Sequence, residues 1–160
     1  ASAGLACLTP SGELRVLDKT TGEPQAPAFT TAFAAPTGLA RVTGTGATPG
    51  LVVSSASQLQ ILTVTGAPYA IASAGVWPPA VGVTLSTPSI YGDLGFLLVG
   101  GSDRRLHRIS LADATEQAQS PQVGTQNAGG IRLGQPVLDT ATGRCLFGTS
   151  DGHIWALPSF

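Results

Sequence analysis

The stretch that decides the fold is residues 96–114, "FLLVGGSDRRLHRISLADA", because residues 145–157, "CLFGTSDGHIWAL", repeat its plan one unit later. Each stretch has an apolar run, a corner rich in Gly, Ser or Asp, and then a run in which apolar and polar residues alternate. This order is typical of a β-hairpin with one buried and one half-buried strand. The sequence therefore indicates a repeated hairpin.

The repeat extends along the whole chain. The alternating runs can be aligned at successive separations of 45, 47 and 48 residues on Leu14, Leu59, Leu106 and Ile154. A further short run, opened by a proline, stands ahead of the last three hairpins, at Pro36, Pro88 and Pro136. Proline lacks an N–H and is favoured at the first residue of a strand. A weaker fourth strand is predicted after some runs, in residues 26–33 and 67–75, whereas residues 110–119 read as a polar loop.

Three or four strands per unit at this period predict an all-β fold, a β-propeller of about four blades of roughly 47 residues each. We expect a single domain, residues 1–160, with blades at approximately 1–34, 35–80, 81–128 and 129–160. The first blade lacks the proline-led strand and the last lacks the outer strand. Open sheet ends recruit other strands, so three outcomes stay open: ring closure through the terminal strands, two chains in a larger ring, or a strand donated by a separate chain. Closure or completion by a partner is favoured over an isolated arc.

The two hairpins quoted above resemble quinoprotein-like (PQQ-type) propeller repeats, and "ELRVLDKTTGE" at residues 13–23 is similar to the second half of that repeat. A proline-led strand followed by a hairpin also resembles the FG-GAP-like blades of bacterial secreted or surface proteins. The FG-GAP resemblance implies calcium loops. Of the three matching stretches, residues 42–50 hold no acidic residue, and the other two hold one each, Asp93 and Asp139. The quinoprotein resemblance implies a quinone cofactor beside a vicinal cysteine pair, which the sequence lacks. We therefore expect neither metal nor cofactor.

Charge excludes some classes of function. Charged residues make up 11% of the chain, and eight basic residues against nine acidic ones give a net charge of −1. A nucleic-acid-binding protein usually has a surplus of positive charge, and no apolar run approaches the roughly 20 residues that span a bilayer.

The opening "ASAG" resembles the residues left by signal-peptide cleavage, although a fragment would fit equally. We expect a secreted or bacterial cell-surface protein, extracellular or periplasmic.

Candidate binding residues are few. The one basic cluster could meet an acidic partner or a glycan, or simply form a solvated corner, at Arg104, Arg105 and Arg108. Trp77, in a proline-rich loop, is either an exposed anchor for a partner or a residue packed between blades. Cys7 and Cys145 could form a disulfide that joins the chain ends, or stay buried free thiols.

Two pairs of polar residues complete the candidates. Asp103 and Asp151 occupy the same corner in two hairpins, where a short acceptor caps a turn. His107 and His153 are not at equivalent repeat positions, and both are expected at the surface.

The sequence contains no nucleophile elbow, phosphate loop or CxxC motif. We therefore predict a non-enzymatic protein-interaction or assembly module, with a homo-oligomer or another protein as partner, and a subunit of a surface filament or pilus-like appendage as one form of it. One alternative is a lectin-like propeller, although Trp77, Tyr91 and Trp155 are not at equivalent positions. The other is a fragment of a larger quinoprotein-like propeller.

Overall fold

The computed structural model describes residues 4–44, 49–66, 69–124 and 130–160. Within them the chain forms four antiparallel sheets, numbered here 1 to 4 along the chain. Sheet 1 contains β1 (Gly4–Leu8), β2 (Glu13–Asp18) and β3 (Phe29–Thr30), and sheet 2 contains β4 (Gly38–Val42), β5 (Gly50–Ser54), β6 (Leu59–Thr65) and β7 (Ala70–Trp77). Sheet 3 contains β8 (Ser89–Tyr91), β9 (Phe96–Gly100), β10 (Leu106–Ser110) and β11 (Glu116–Gln119), and sheet 4 contains β12 (Val137–Asp139), β13 (Arg144–Gly148) and β14 (Ile154–Pro158).

The all-β prediction is confirmed, and the helical content of the described residues is one 3-10 turn at Gly92–Leu94. Within each sheet, strands that follow one another in sequence are hydrogen-bonded neighbours. No helix in the described ranges is both long and apolar enough to cross a membrane.

The prediction that residues 110–119 form a loop is wrong for the last four of them. These residues form β11, which pairs with β10, with a register shift between Arg108 and Ile109. Its polar side chains are tolerated because three of its four residues are exposed.

Strand register confirms the alignment of the repeat. In each sheet the last residue of one strand pairs across the hairpin turn with the first apolar residue of the next, and these pairs are Leu8↔Leu14, Ser54↔Leu59, Gly100↔Leu106 and Gly148↔Ile154. The turns of sheets 1, 3 and 4 also share a residue with positive φ at one position, in the order Gly12, Arg104 and Gly152. One turn design therefore recurs along the chain.

Buried side chains fill the seams between consecutive sheets, and the described residues form three such hydrophobic clusters. One cluster joins sheets 1 and 2, a second joins sheets 2 and 3, and a third joins sheets 3 and 4. None of the three joins sheet 4 to sheet 1. The fold is therefore a series of four sheets packed face to face. Sheets 2 and 3 each bury both faces in these clusters, whereas sheets 1 and 4 each bury one.

The proline-led strands also make contacts between sheets. The hydroxyl of Ser89 in β8 donates to the main-chain oxygen of Pro136, and the main-chain N–H of Leu138 in β12 donates to the hydroxyl of Tyr91 at 2.5 Å. These two bonds align β8 with β12 at the seam between sheets 3 and 4.

Within the described ranges, sheets 1 and 4 each have three strands, as the sequence predicts. The register shows that β1, β2 and β3 correspond to β5, β6 and β7, so the described residues supply no counterpart of the proline-led strand in sheet 1. It likewise shows that β12, β13 and β14 correspond to the first three strands of sheet 2, so no outer strand of sheet 4 occurs in these ranges. Closure through the terminal strands, one of the two favoured outcomes, is not formed, because no fourth strand pairs with either of these sheets in the part of the chain described.

Candidate functional site

The middle sheets bury both of their faces, because side chains on a strand alternate from one side to the other. In β5, Leu51 and Val53 pack against sheet 1, and Val52 packs against sheet 3. All three are at most 7% exposed. We call the side of a sheet that faces the preceding sheet its leading face and the opposite side its trailing face.

The leading face of sheet 1 is open. Register places Leu5 and Cys7 of β1 at the positions that Leu51 and Val53 hold in β5. Leu5 is 54% exposed, although Leu51 is 7% exposed and Val53 is fully buried. Leu17 lies directly across from Leu5. We call this surface the first free face, and it comprises Leu5, Cys7, Arg15 and Leu17.

The trailing face of sheet 4 is open in the same way. Ile154 holds the repeat position of Leu106, and it is 84% exposed whereas Leu106 is fully buried. Leu146 holds the position of Leu98, which is 2% exposed, yet Leu146 itself is 39% exposed. Val137 lies across from Leu146. We call this surface the last free face. It comprises Val137, Leu146, Ile154 and Ala156, with Asp139, Arg144 and Pro158 at one edge.

Sequence reasoning selected neither free face. The signal was present in the repeat alignment, because Ile154 stands where Leu14, Leu59 and Leu106 stand in the other units. An apolar residue at a position that is otherwise core must be covered by a neighbouring sheet or exposed. An exposed apolar patch of this kind on a soluble protein marks an interaction surface.

Trp77, a predicted anchor for a partner, is 5% exposed and packs at the seam between sheets 2 and 3. Its ring lies 5.1 Å from the ring of His107, measured between centroids. The alternative in which it packs between blades therefore describes its place. A lectin-like aromatic platform would need a ring open to solvent, which this position does not offer.

The prediction that His107 lies at the surface is wrong. It is 5% exposed, with Nδ1 at 2.7 Å from the carboxylate of Glu116 and Nε2 at 3.2 Å from that of Asp103. The polar ring is tolerated inside the seam because both nitrogens have a partner. The sequence pattern did not predict the burial of His107, because its partner Glu116 belongs to β11, which the sequence analysis interprets as a loop. His153 is exposed, as predicted, and its Nδ1 lies 3.2 Å from Asp151.

The three arginines do not form one open basic patch. Arg104 donates to the side chain of Gln122 at 3.3 Å, and Arg105 donates to the main-chain oxygen of Ser120 at 2.8 Å. Arg108 belongs to the seam between sheets 3 and 4, where its guanidinium lies 4.3 Å from the centre of the Phe96 ring. A partner-binding role for these arginines stays a prediction.

Arg108 also holds the last residue of the chain, since its Nη1 donates to the main-chain oxygen of Phe160 at 2.8 Å. Arg108→Ala removes this charged hydrogen bond and the contact with the ring. We expect it to lower the free energy of unfolding by about 1–2 kcal/mol. Arg132→Ala, at an exposed position, is the matched control and should change it by less than about 0.5 kcal/mol. Urea unfolding followed by fluorescence measures both, and equal losses would contradict the structural role of Arg108.

The two cysteines do not form the proposed disulfide, and both thiols are free. Cys7 lies on the first free face of sheet 1, while Cys145 points to sheet 3 and is 1% exposed. Burial raises the pKa of the Cys145 thiol, which makes it unreactive at neutral pH. The two side chains belong to sheets 1 and 4, which share none of the hydrophobic clusters found within the described residues.

The corner aspartates cap their turns as predicted. Asp103 accepts from the main-chain N–H of Arg105 at 3.3 Å. The Thr149 hydroxyl lowers the pKa of Asp151, and His153 adds to the effect. Asp139, a candidate calcium position, is held in a turn in the same way, and the Thr142 hydroxyl followed by the Ala141 N–H lowers its pKa. No cluster of three or more His, Cys, Asp or Glu that could hold a metal occurs within the described residues.

Two clefts open along the seams. One, of about 450 Å³, lies between sheets 1 and 2 and is lined by residues such as Leu5, Val16 and Tyr69. Another, of about 460 Å³, lies between sheets 3 and 4 beside Arg108 and Phe160. Both clefts are mainly apolar, and each is bordered by one of the two terminal sheets.

Comparison with known proteins establishes the fold. Neither known protein families nor curated proteins give a match. Among solved structures, 96% of the chain is similar to 50% of the Cps50 (Swd1) β-propeller domain of Myceliophteria thermophila, at 13% identity and a TM-score of 0.73. BamB from Moraxella catarrhalis is similar at 18% identity and a TM-score of 0.63, over 96% of this chain and 42% of BamB. The computationally designed Ika4 protein is similar at 9% identity and a TM-score of 0.68, over 100% of this chain and 88% of Ika4.

The chain thus has a β-propeller fold, and it spans half or less of the first two of these structures. Identities this low show the fold and nothing more specific. Membership of the quinoprotein-like or FG-GAP-like groups stays a prediction.

Proposed function

We propose that the chain is a non-enzymatic β-propeller module that binds protein through its two free faces. The observation that carries the proposal is the exposure of Ile154 at 84%, at a repeat position where Leu14, Leu59 and Leu106 are fully buried. Full burial of a side chain of this size stabilises an interface by roughly 1.5–3 kcal/mol. Protein is the favoured ligand because both faces are sheet surfaces of the kind that pack on other sheets.

A photo-crosslinking residue at Ile154 tests the proposal in the cells that express the protein. The matched control carries the same residue at Val81, which is fully exposed but lies in a loop outside the sheets. We expect protein adducts from position 154 in clear excess over position 81, with the attachment sites mapped by mass spectrometry. Equal yields at the two positions would contradict a binding role for the last free face.

The proposal includes a place outside the cytoplasm, in a surface assembly such as a filament. Its support is compositional, since charged residues are 11% of the chain against roughly 25% in an average domain. Fractionation of the expressing cells measures the location directly. Recovery of the protein in the cytoplasmic fraction alone would remove this part of the proposal and leave the binding role intact.

A further inference from the structure

We infer that the partner is a second copy of this chain, and that two copies close head to tail into one ring, the last free face of each packing on the first free face of the other. The inference rests on the proposed function and names its ligand. The described residues of each chain form four sheets, and the ring would contain two such sets.

The first argument is positional. Inside the chain, the leading face of every later sheet packs on the trailing face of the sheet before it. Leu5 and Cys7 lie at the two repeat positions of β1 that, in β5, β9 and β13, hold the side chains packed on the preceding sheet. Leu146 and Ile154 hold the positions by which sheets 2 and 3 pack on the following one. The two free faces are therefore the two halves of one more seam of the same kind.

The second argument is chemical. The last free face is apolar at its centre, where Val137, Leu146 and Ala156 are paired across three strands. The first free face presents Leu5 beside Leu17, with Arg15 next to them. Arg15 is already paired, since its Nε lies 2.5 Å from the carboxylate of Glu13. One edge of the last free face carries Asp139 and Arg144, which are paired across β12 and β13. Each face would therefore bring one acidic and one basic side chain to the seam, and neither face brings charge of one sign alone.

Internal seams accept a polar residue at the position of Arg15. Gln60 holds it in sheet 2, is 4% exposed, and accepts from the main-chain N–H of Ala32 at 2.8 Å across the seam. His107 holds it in sheet 3, between two carboxylates. Trp155 holds it in sheet 4. Two of the three internal seams thus have a polar residue at this position, so the polar character of Arg15 is compatible with a place inside a seam.

The third argument concerns closure. A contact between two different faces of identical chains gives a ring when the rotation closes and a filament when it does not. The chain is similar to 50% of the Cps50 (Swd1) β-propeller domain, so two copies together match the length of that domain. A second copy presents one face of each kind and can therefore cover both free faces at once.

Light scattering on the purified chain tests the inference. We expect twice the chain mass of 16.1 kDa for the unmodified protein and for Val81→Glu. Leu5→Glu and Ile154→Glu should each weaken association by about 100-fold or more, because each breaks both seams of the ring. Both substitutions are at exposed positions, so circular dichroism should show an unchanged fold.

Mixing the two variants distinguishes head-to-tail packing from contact between like faces. The Leu5→Glu chain keeps an intact last face and the Ile154→Glu chain an intact first face, so one good seam forms only in the mixture. We expect pairs of the two variants, with neither variant pairing alone. Self-association of Leu5→Glu, or a dimer that survives both single changes, would overturn the inference.

Cys7 gives a second readout without a designed change. Thiol labelling, located by mass spectrometry, should modify Cys7 more slowly as the chain concentration rises, and Ile154→Glu should remove this dependence. A chain that is monomeric at all concentrations would overturn the inference. If photo-adducts of Ile154 with a different protein persist in that case, the proposed function stands and only the identity of its partner is lost.

Discussion

Leu106→Ala is expected to lower the free energy of unfolding by about 2–5 kcal/mol, the range for a leucine removed from a packed core. Leu106 is fully buried in the seam between sheets 3 and 4. Ile154→Ala is the matched control, because the same repeat position is 84% exposed there, and it should cost less than about 0.5 kcal/mol in the monomer. Urea unfolding at dilution measures both changes without a contribution from association.

The comparison of these two substitutions isolates the effect of a neighbouring sheet. Residue type and place in the hairpin are nearly the same, and the presence of a following sheet is the main difference. Similar losses at Leu106 and Ile154 under monomeric conditions would mean that Ile154 is covered within one chain. The last free face would then not exist.

Gly12→Ala is expected to cost about 3 kcal/mol or more. Gly12 has φ of +85°, a conformation that costs an L-residue roughly 1–2 kcal/mol. A Cβ at this position would also overlap the main-chain oxygen of Phe33. That oxygen belongs to the 31–33 segment, whose Thr31 N–H donates to the Gly12 oxygen at 2.8 Å, so the segment would have to move from the seam.

Gly22→Ala separates the two causes. Its φ is +75°, and a Cβ there would meet nothing within 4 Å. It should therefore show only the conformational cost, about 1–2 kcal/mol. Thermal and urea unfolding of both variants give the difference, and an equal cost at Gly12 and Gly22 would show that the 31–33 segment does not pack on the turn.

The repeat was predictable because its signal is local. Alternation in the runs around Leu14, Leu59, Leu106 and Ile154, with Gly, Ser and Asp at the corners, depends on hairpin geometry alone, and the register reproduces that alignment. The weaker fourth strands β3 and β7 also fall where the sequence places them. Such features require no knowledge of what packs on the hairpin.

The predictions that were wrong or missing concern contacts between residues that are far apart in the sequence. His107 is buried because Glu116 and Asp103 surround it and Trp77 packs on its ring, and nothing in their spacing reveals this. The free faces were missed for the same reason. Leu5 and Ile154 look like core residues in the sequence, and only the positions of the sheets show that the chain leaves them uncovered.

Electron microscopy of the purified particle tests the central claim most directly, because class averages down the ring axis count the sheets. Two chains of four sheets each should appear as a closed ring with twice that number and two-fold symmetry. A closed ring made by one chain alone, with Leu5 covered by its own Ile154, would contradict the claim that sheets 1 and 4 each present half of a seam to a second copy.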